Sequence, residues 1–135
     1  MTDTAQTPAV AAASEQRLIP AIVYVLYLVG PVNILTYFVG LLVAYFGKAD
    51  AGPKAESHLI FQVRTFWLFF AWAIIGVVGL IFGIAGTVVL VGIPVLVVSV
   101  AILSLIHLWF LARCLVGGYY LLKDEPYPRP QSWLF

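Results

Sequence analysis

The sequence predicts an all-α integral membrane protein, a bundle of three transmembrane helices, and three observations carry that reading. The chain of 135 residues is 63% hydrophobic and only 10% charged, against roughly 45–50% and roughly 25% in typical soluble domains. Its charges are unevenly placed, because residues 18–47 and 65–112 contain no Asp, Glu, Lys or Arg. A spanning helix needs about 20 apolar residues to cross about 30 Å of hydrocarbon, so the first stretch holds one span and the second holds more than one. The remaining segments are each too short for a separate folded domain. A formal net charge of +1 supplies no field that would recruit nucleic acid.

The elements follow in order. Residues 1–17 are small and polar with no hydrophobic period, which predicts a disordered tail. Pro20 suits the first turn of a helix, where its missing N–H costs nothing, and the first span covers residues 20–46. At 27 residues it would be about 40 Å long, more than the hydrocarbon, and Gly30-Pro31 predicts a kink. Residues 48–58 carry Lys48, Asp50, Lys54 and Glu56 around Gly52-Pro53, which reads as a short aqueous loop with Ser57 as a candidate cap. A single helix over residues 59–122 would reach about 96 Å, so this stretch must turn. Gly83-Ile84-Ala85-Gly86-Thr87 is the expected turn, giving spans of 59–82 and 88–112, and Gly92-Ile93-Pro94 is the competing break. Residues 18–122 thus form the transmembrane domain, its third helix extended past Arg113 into the interface. Pro126, Pro128 and Pro130 then hold the tail, residues 123–135, extended.

Three spans place Lys48, Lys54, Arg64, Arg113, Lys123 and Arg129 on one side and Arg17 alone on the other. The positive-inside rule then sets the C-terminus in the cytoplasm and the N-terminus outside.

Small residues line two helix faces. Gly76, Gly79 and Gly83 share a face with Gln62, Thr65, Phe69 and Trp72, while Gly30 and Gly40 share one with Asn33, Tyr37, Ala44 and Gly47. Such stripes allow helices to approach closely, either within the chain or as the seam of a homo-oligomer. Polar residues inside spans face protein or water, which makes Asn33, Gln62, Arg64, His107 and Arg113 a candidate cluster. In one reading Arg64 and Arg113 open a pocket to the cytoplasm that binds an anion such as a lipid phosphate. In the other they are snorkelling anchors beside side chains that tie helices together.

Catalytic signatures are missing from the sequence. No acidic residue lies within the spans, which argues against a buried proton or cation relay. His58 and His107 have no metal-ligand spacing, and the single Cys114, seven residues after His107, reads as packing. No phosphate-cradling loop or metalloprotease motif occurs, so the expectation is a non-enzymatic protein without cofactor or metal. Aromatics at Tyr45, Phe46, Phe66, Trp67, Trp109, Phe110, Tyr119, Tyr120 and Trp133 read as an interfacial belt. The tail from Tyr127 to the closing Trp133-Leu134-Phe135 either lies along the headgroups or enters a partner's groove.

Several motifs carry a resemblance. Ser57-His58, then Phe61-Gln62-Val63-Arg64-Thr65-Phe66-Trp67, Arg113 with Gly117 four residues on, Asp124-Glu125-Pro126-Tyr127-Pro128 and Ser132-Trp133-Leu134-Phe135 resemble an uncharacterised family of small bacterial inner-membrane proteins, assigned a domain of unknown function. That family is distantly similar to the membrane subunit of the chloroplast inner-envelope protein translocon. The resemblance covers residues 23–135 and implies a bacterial inner-membrane location, with no catalytic residue or ligand to carry over. The expected function is a scaffold or accessory subunit of a membrane complex, in contact with the lipid bilayer. An oligomeric pore or translocation component and an anionic-lipid binder are the alternatives.

Overall fold

A computed structural model describes the backbone of residues 7–135 and the side chains from residue 16 onward. Among the described residues every regular element is helical: α1 (Thr7–Val29), α2 (Leu35–Lys48), α3 (Pro53–Ala85), a short 3-10 turn (Gly86–Val89) and α4 (Gly92–Leu122). The chain divides into two compact units, one comprising the residues up to Arg64 with Arg113–Phe135, the other Thr65–Ala112.

In the first unit the expected single kinked span is instead two helices packed against each other. Pro31 has no N–H and crowds the preceding turn, which ends α1. Asn33 then supplies an alternative acceptor, its Oδ1 taking the Leu35 N–H at 3.1 Å, so the chain reverses and restarts as α2. The Tyr37 ring closes over Gly30, the Tyr27 ring over Gly40, and Ile19 over Gly47, which fixes an antiparallel register. Reversal also removes the continuous helix of about 40 Å that a single unbroken span would have required. The start of α1 differs as well. Helix begins at Thr7, inside the segment whose composition reads as a disordered tail, and the Ala-rich run of residues 9–13 has the highest helix propensity available. Pro20 accordingly lies within the helix rather than in its first turn.

The second unit is an antiparallel helical hairpin. Gly76 meets Leu103, Gly79 meets Ser99, and a Cβ on Gly83 would lie 2.8 Å from the Leu96 backbone nitrogen. Phe69 and Phe110 continue the same register, with ring centroids 4.7 Å apart. The turn falls slightly later than residues 83–87, because α3 keeps its pattern to Ala85 and Leu90, with φ 61°, makes the reversal. Pro94 occupies the first turn of α4, where no intrahelical donor is lost.

Two helices, Pro53–Val89 counted with its terminal turn and Gly92–Leu122, are long and apolar enough to cross a membrane. Only 17% and 11% of their most apolar windows are buried, whereas a core helix of a soluble protein would be covered on its apolar face. The apolar parts of α1 and α2 are shorter, 10–17 residues each. Where three spans were expected, the described residues thus contain two helices of spanning length and a hairpin of shorter apolar helices.

Candidate functional site

The first unit contains all seven Lys and Arg residues of the chain, and its interior is organised around the C-terminal tail. The end of α4 sets the tail's direction. Asp124 adopts a left-handed conformation, φ 60°, its N–H bonds to Leu121 O, and the Glu125 N–H reaches back to Tyr120 O. This is the helix-ending motif that usually carries glycine. Here the Asp124 carboxylate also pairs with Arg17 and Lys54, each at 3.1 Å. Pro126 follows and prevents the helix from resuming.

The tail then docks on α3. Tyr127 stacks on Phe61 with centroids 3.7 Å apart, meets Tyr120 edge-on, and is buried. Its N–H donates to Ser57 Oγ at 3.0 Å, while that hydroxyl donates to Lys54 O at 2.7 Å. Ser57 thus serves the tail rather than capping α3, which opens with Pro53. His58 lies beneath: one ring nitrogen, Nε2, is 2.9 Å from Glu125 O and the other, Nδ1, is 3.2 Å from Tyr24 OH. A carbonyl can only accept, so Nε2 carries the proton, and neutral His58 accepts at Nδ1 from the Tyr24 hydroxyl. The ring therefore links α1, α3 and the tail.

Arg113 completes the fastening. Its guanidinium lies 4.0 Å from the Phe61 ring centroid, and Nη1 donates to Ser132 O at 3.2 Å and Leu134 O at 2.8 Å. The side chain is fully buried. Burying a cation is expensive unless hydrogen bonds compensate it, and two carbonyls plus an aromatic face do so here. The phenol of Tyr127 is pushed above its ordinary value, chiefly by burial and also by Tyr120, against the lowering effect of Arg113. Its neutral form is thereby favoured.

The expected polar cluster is only partly assembled. Gln62, Arg64 and Arg113 belong to the first unit. Gln62 Nε2 donates to Pro20 O at 2.8 Å, and its backbone carbonyl accepts from Tyr27 OH at 3.3 Å. Arg64 is half-buried with its guanidinium 5.6 Å from the Trp133 ring centroid. Asn33 is exposed in the turn between α1 and α2, so it is a turn-forming residue and not a mid-span polar group. His107 belongs to the second unit, where Nδ1–H donates to Leu103 O at 2.8 Å and the ring meets Phe69 edge-on. Phe66 and Phe110, read as belt residues, are core. Gly30, Gly40, Gly76, Gly79 and Gly83 all face side chains or backbone of the same chain.

Tyr24, His58, Tyr120 and Tyr127 are site residues that the polar-cluster reading missed. His58 and Tyr127 sit in motifs that sequence reading singled out, but His58 engages the Glu125 carbonyl and Tyr127 bonds through its own backbone N–H, links that leave no trace in side-chain spacing. Among the described residues no three His, Cys, Asp or Glu side chains group as metal ligands. No family model, curated protein or solved structure matches the chain.

Proposed function

We propose that the protein is a non-enzymatic integral membrane protein, a scaffold or accessory subunit that presents the Trp133-Leu134-Phe135 end to a partner in a membrane complex. One observation carries this reading: Arg113 fastens the tail through the carbonyls of Ser132 and Leu134, while Trp133, Leu134 and Phe135 remain exposed. Fixing the backbone and leaving large apolar side chains outward lowers the ordering cost of an encounter. The oligomeric-pore reading has less support, because Gln62 Nε2 and His107 Nδ1 bond to carbonyls within the chain and the glycine faces are occupied.

In the topology that we infer, α3 and α4 cross the membrane, whereas the α1–α2 hairpin enters and leaves by one face, its arms being shorter than the about 20 residues a span needs. Both ends of the described chain and the loop after α2 are then cytoplasmic, with every basic residue on that side. The inner-membrane location rests on the resemblance of the Ser57–Trp67 and Ser132–Phe135 motifs.

Two experiments test these points. Affinity purification in mild detergent, comparing wild type with Trp133→Ala/Leu134→Ala, should show specific partners lost from the variant at unchanged melting temperature. Recovery of this protein alone would overturn the scaffold reading. In a Cys114→Ala background, single cysteines at Gln16, Asp50 and Gln131 should react with impermeant maleimide from the cytoplasmic face. Reaction of position 16 from the opposite face would restore a three-span topology.

A further inference from the structure

The reversal between α1 and α2 is built for surroundings without water. From Val29 to Tyr37 it has no charged side chain, and Val32, Ile34 and Leu35 at its tip are exposed, Val32 to 90%. Water can serve the backbone donors of an ordinary surface turn, whereas a turn in hydrocarbon must satisfy them internally. Here the N–H groups of Gly30, Val32, Asn33, Thr36 and Tyr37 bond to carbonyls three or four residues earlier, and Asn33 Oδ1 takes that of Leu35. Pro31 has no N–H to place, and the Thr36 hydroxyl donates to Asn33 O at 2.7 Å. The Ile34 N–H and the Asn33 side-chain NH2 are the donors outside this set, a smaller polar load than an open turn carries.

Apolar exposure is spread over both arms. Ile22 and Val25 on α1 and Phe38, Leu42 and Phe46 on α2 are exposed, while the inner faces pack on each other and on α3. A protein partner would cover one patch, whereas lipid covers every free side. Charge is confined to the open end of the hairpin, at Arg17, Lys48 and Asp50, with Tyr45 exposed nearby. Basic and aromatic residues placed in this way suit the headgroup level. Length gives the depth. The 14 residues of α2 extend about 21 Å at 1.5 Å per residue, and the apolar part of α1, Gln16–Val29, matches them. One leaflet offers about 15 Å of hydrocarbon beneath about 6 Å of headgroups. Upright arms therefore end at the midplane.

We propose that the α1–α2 hairpin is embedded in the cytoplasmic leaflet alone, with lipid acyl chains as the partner of its outer faces and Val32 at the bilayer midplane. This rests on the one-face topology inferred above and adds to it the depth of the tip and the chemistry of what surrounds it.

The test uses the full-length protein in a Cys114→Ala background, reconstituted in vesicles of phosphatidylcholine and phosphatidylglycerol. Val32→Cys and Phe46→Cys each carry a bimane fluorophore. The quenchers are iodide on both faces and phosphatidylcholine spin-labelled either at the chain end or close to the glycerol. Val32→Cys should be quenched several-fold more by the chain-end label, and Phe46→Cys several-fold more by the label close to the glycerol. Iodide should leave Val32→Cys unchanged. Should Val32→Cys fail to fold, Ile34→Cys repeats the measurement at the tip. Iodide quenching at the tip would place the turn in water, and protection from iodide and both lipid labels would place it in a protein groove. Preference of both positions for the label close to the glycerol would lay the hairpin flat in the interface. Each of these three results overturns the proposal. None of them touches the one-face topology, which fails instead if Gln16→Cys and Asp50→Cys react with impermeant maleimide from opposite faces.

Discussion

Arg113 and Phe61 form the clamp on which the tail closes, the guanidinium carbon lying 4.0 Å from the centroid of the ring while Tyr127 stacks on Phe61 as well. Because Arg113 also holds two tail carbonyls, its geometry matters beyond its charge. Lysine keeps the charge but offers neither a planar face for Phe61 nor a fork for two acceptors. Arg113→Lys should therefore destabilise the protein by about 2 kcal/mol, the scale of charged hydrogen bonds and a desolvated cation–π contact. The check is thermal unfolding in detergent together with proteolysis at Arg129, which should accelerate. Unchanged cleavage would show that the tail does not depend on the clamp.

Tyr127 separates packing from its hydroxyl. Tyr127→Ala removes a buried ring and should cost about 3 kcal/mol or more. Tyr127→Phe keeps the stack and should cost less than about 1 kcal/mol. The pH dependence has a definite sign. The folded pKa is raised, so the folded state holds its proton longer than the unfolded one, and the resulting stability is complete below the free tyrosine value of about 10. It is lost as pH rises through that value toward the folded pKa. Wild type should thus lose stability more steeply than Tyr127→Phe above about pH 10, measured by melting temperature against pH.

Asp124 sets two effects against each other. An L-residue in the left-handed region costs roughly 1–2 kcal/mol, a cost glycine avoids. The ion pairs with Arg17 and Lys54 are partly exposed, and pairs of that kind contribute roughly 0–1 kcal/mol. Asp124→Gly should therefore be neutral or stabilising by up to about 1 kcal/mol, while Asp124→Ala, which keeps the backbone cost and loses the pairs, should destabilise. If alanine and glycine behaved alike in thermal unfolding, the backbone would not be the controlling factor.

The helical character and the two long apolar helices were legible in the sequence because composition and charge placement record them directly. Residues 65–112 carry no charge, and that same stretch is one compact unit. Reversal at Gly30-Pro31 was not legible. Proline predicts a break, but whether the chain bends or returns depends on Tyr37 closing over Gly30 and Tyr27 over Gly40, contacts between positions that periodicity treats as one continuous face. The tail clasp was hidden for another reason. Its acceptors are the carbonyls of Glu125, Ser132 and Leu134, which every residue type provides equally.

Glycine substitutions give the last test, because two positions should respond with opposite sign. Alanine in place of a helical glycine ordinarily gains roughly 0.5–1 kcal/mol through reduced backbone entropy. At Gly118 a Cβ would meet nothing within 4 Å, so Gly118→Ala should realise that gain. At Gly83 the Cβ would lie 2.8 Å from the Leu96 nitrogen and 2.9 Å from its Cα. Backbone on a packed helix cannot rotate aside as a side chain can, so the α3–α4 hairpin must open. Overpacking of this kind costs roughly 1–3 kcal/mol, which exceeds the entropic gain, and Gly83→Ala should be net destabilising. Melting temperatures of the two single variants decide it. A stabilised Gly83→Ala would mean that the second unit is not held by close helix approach at its tip.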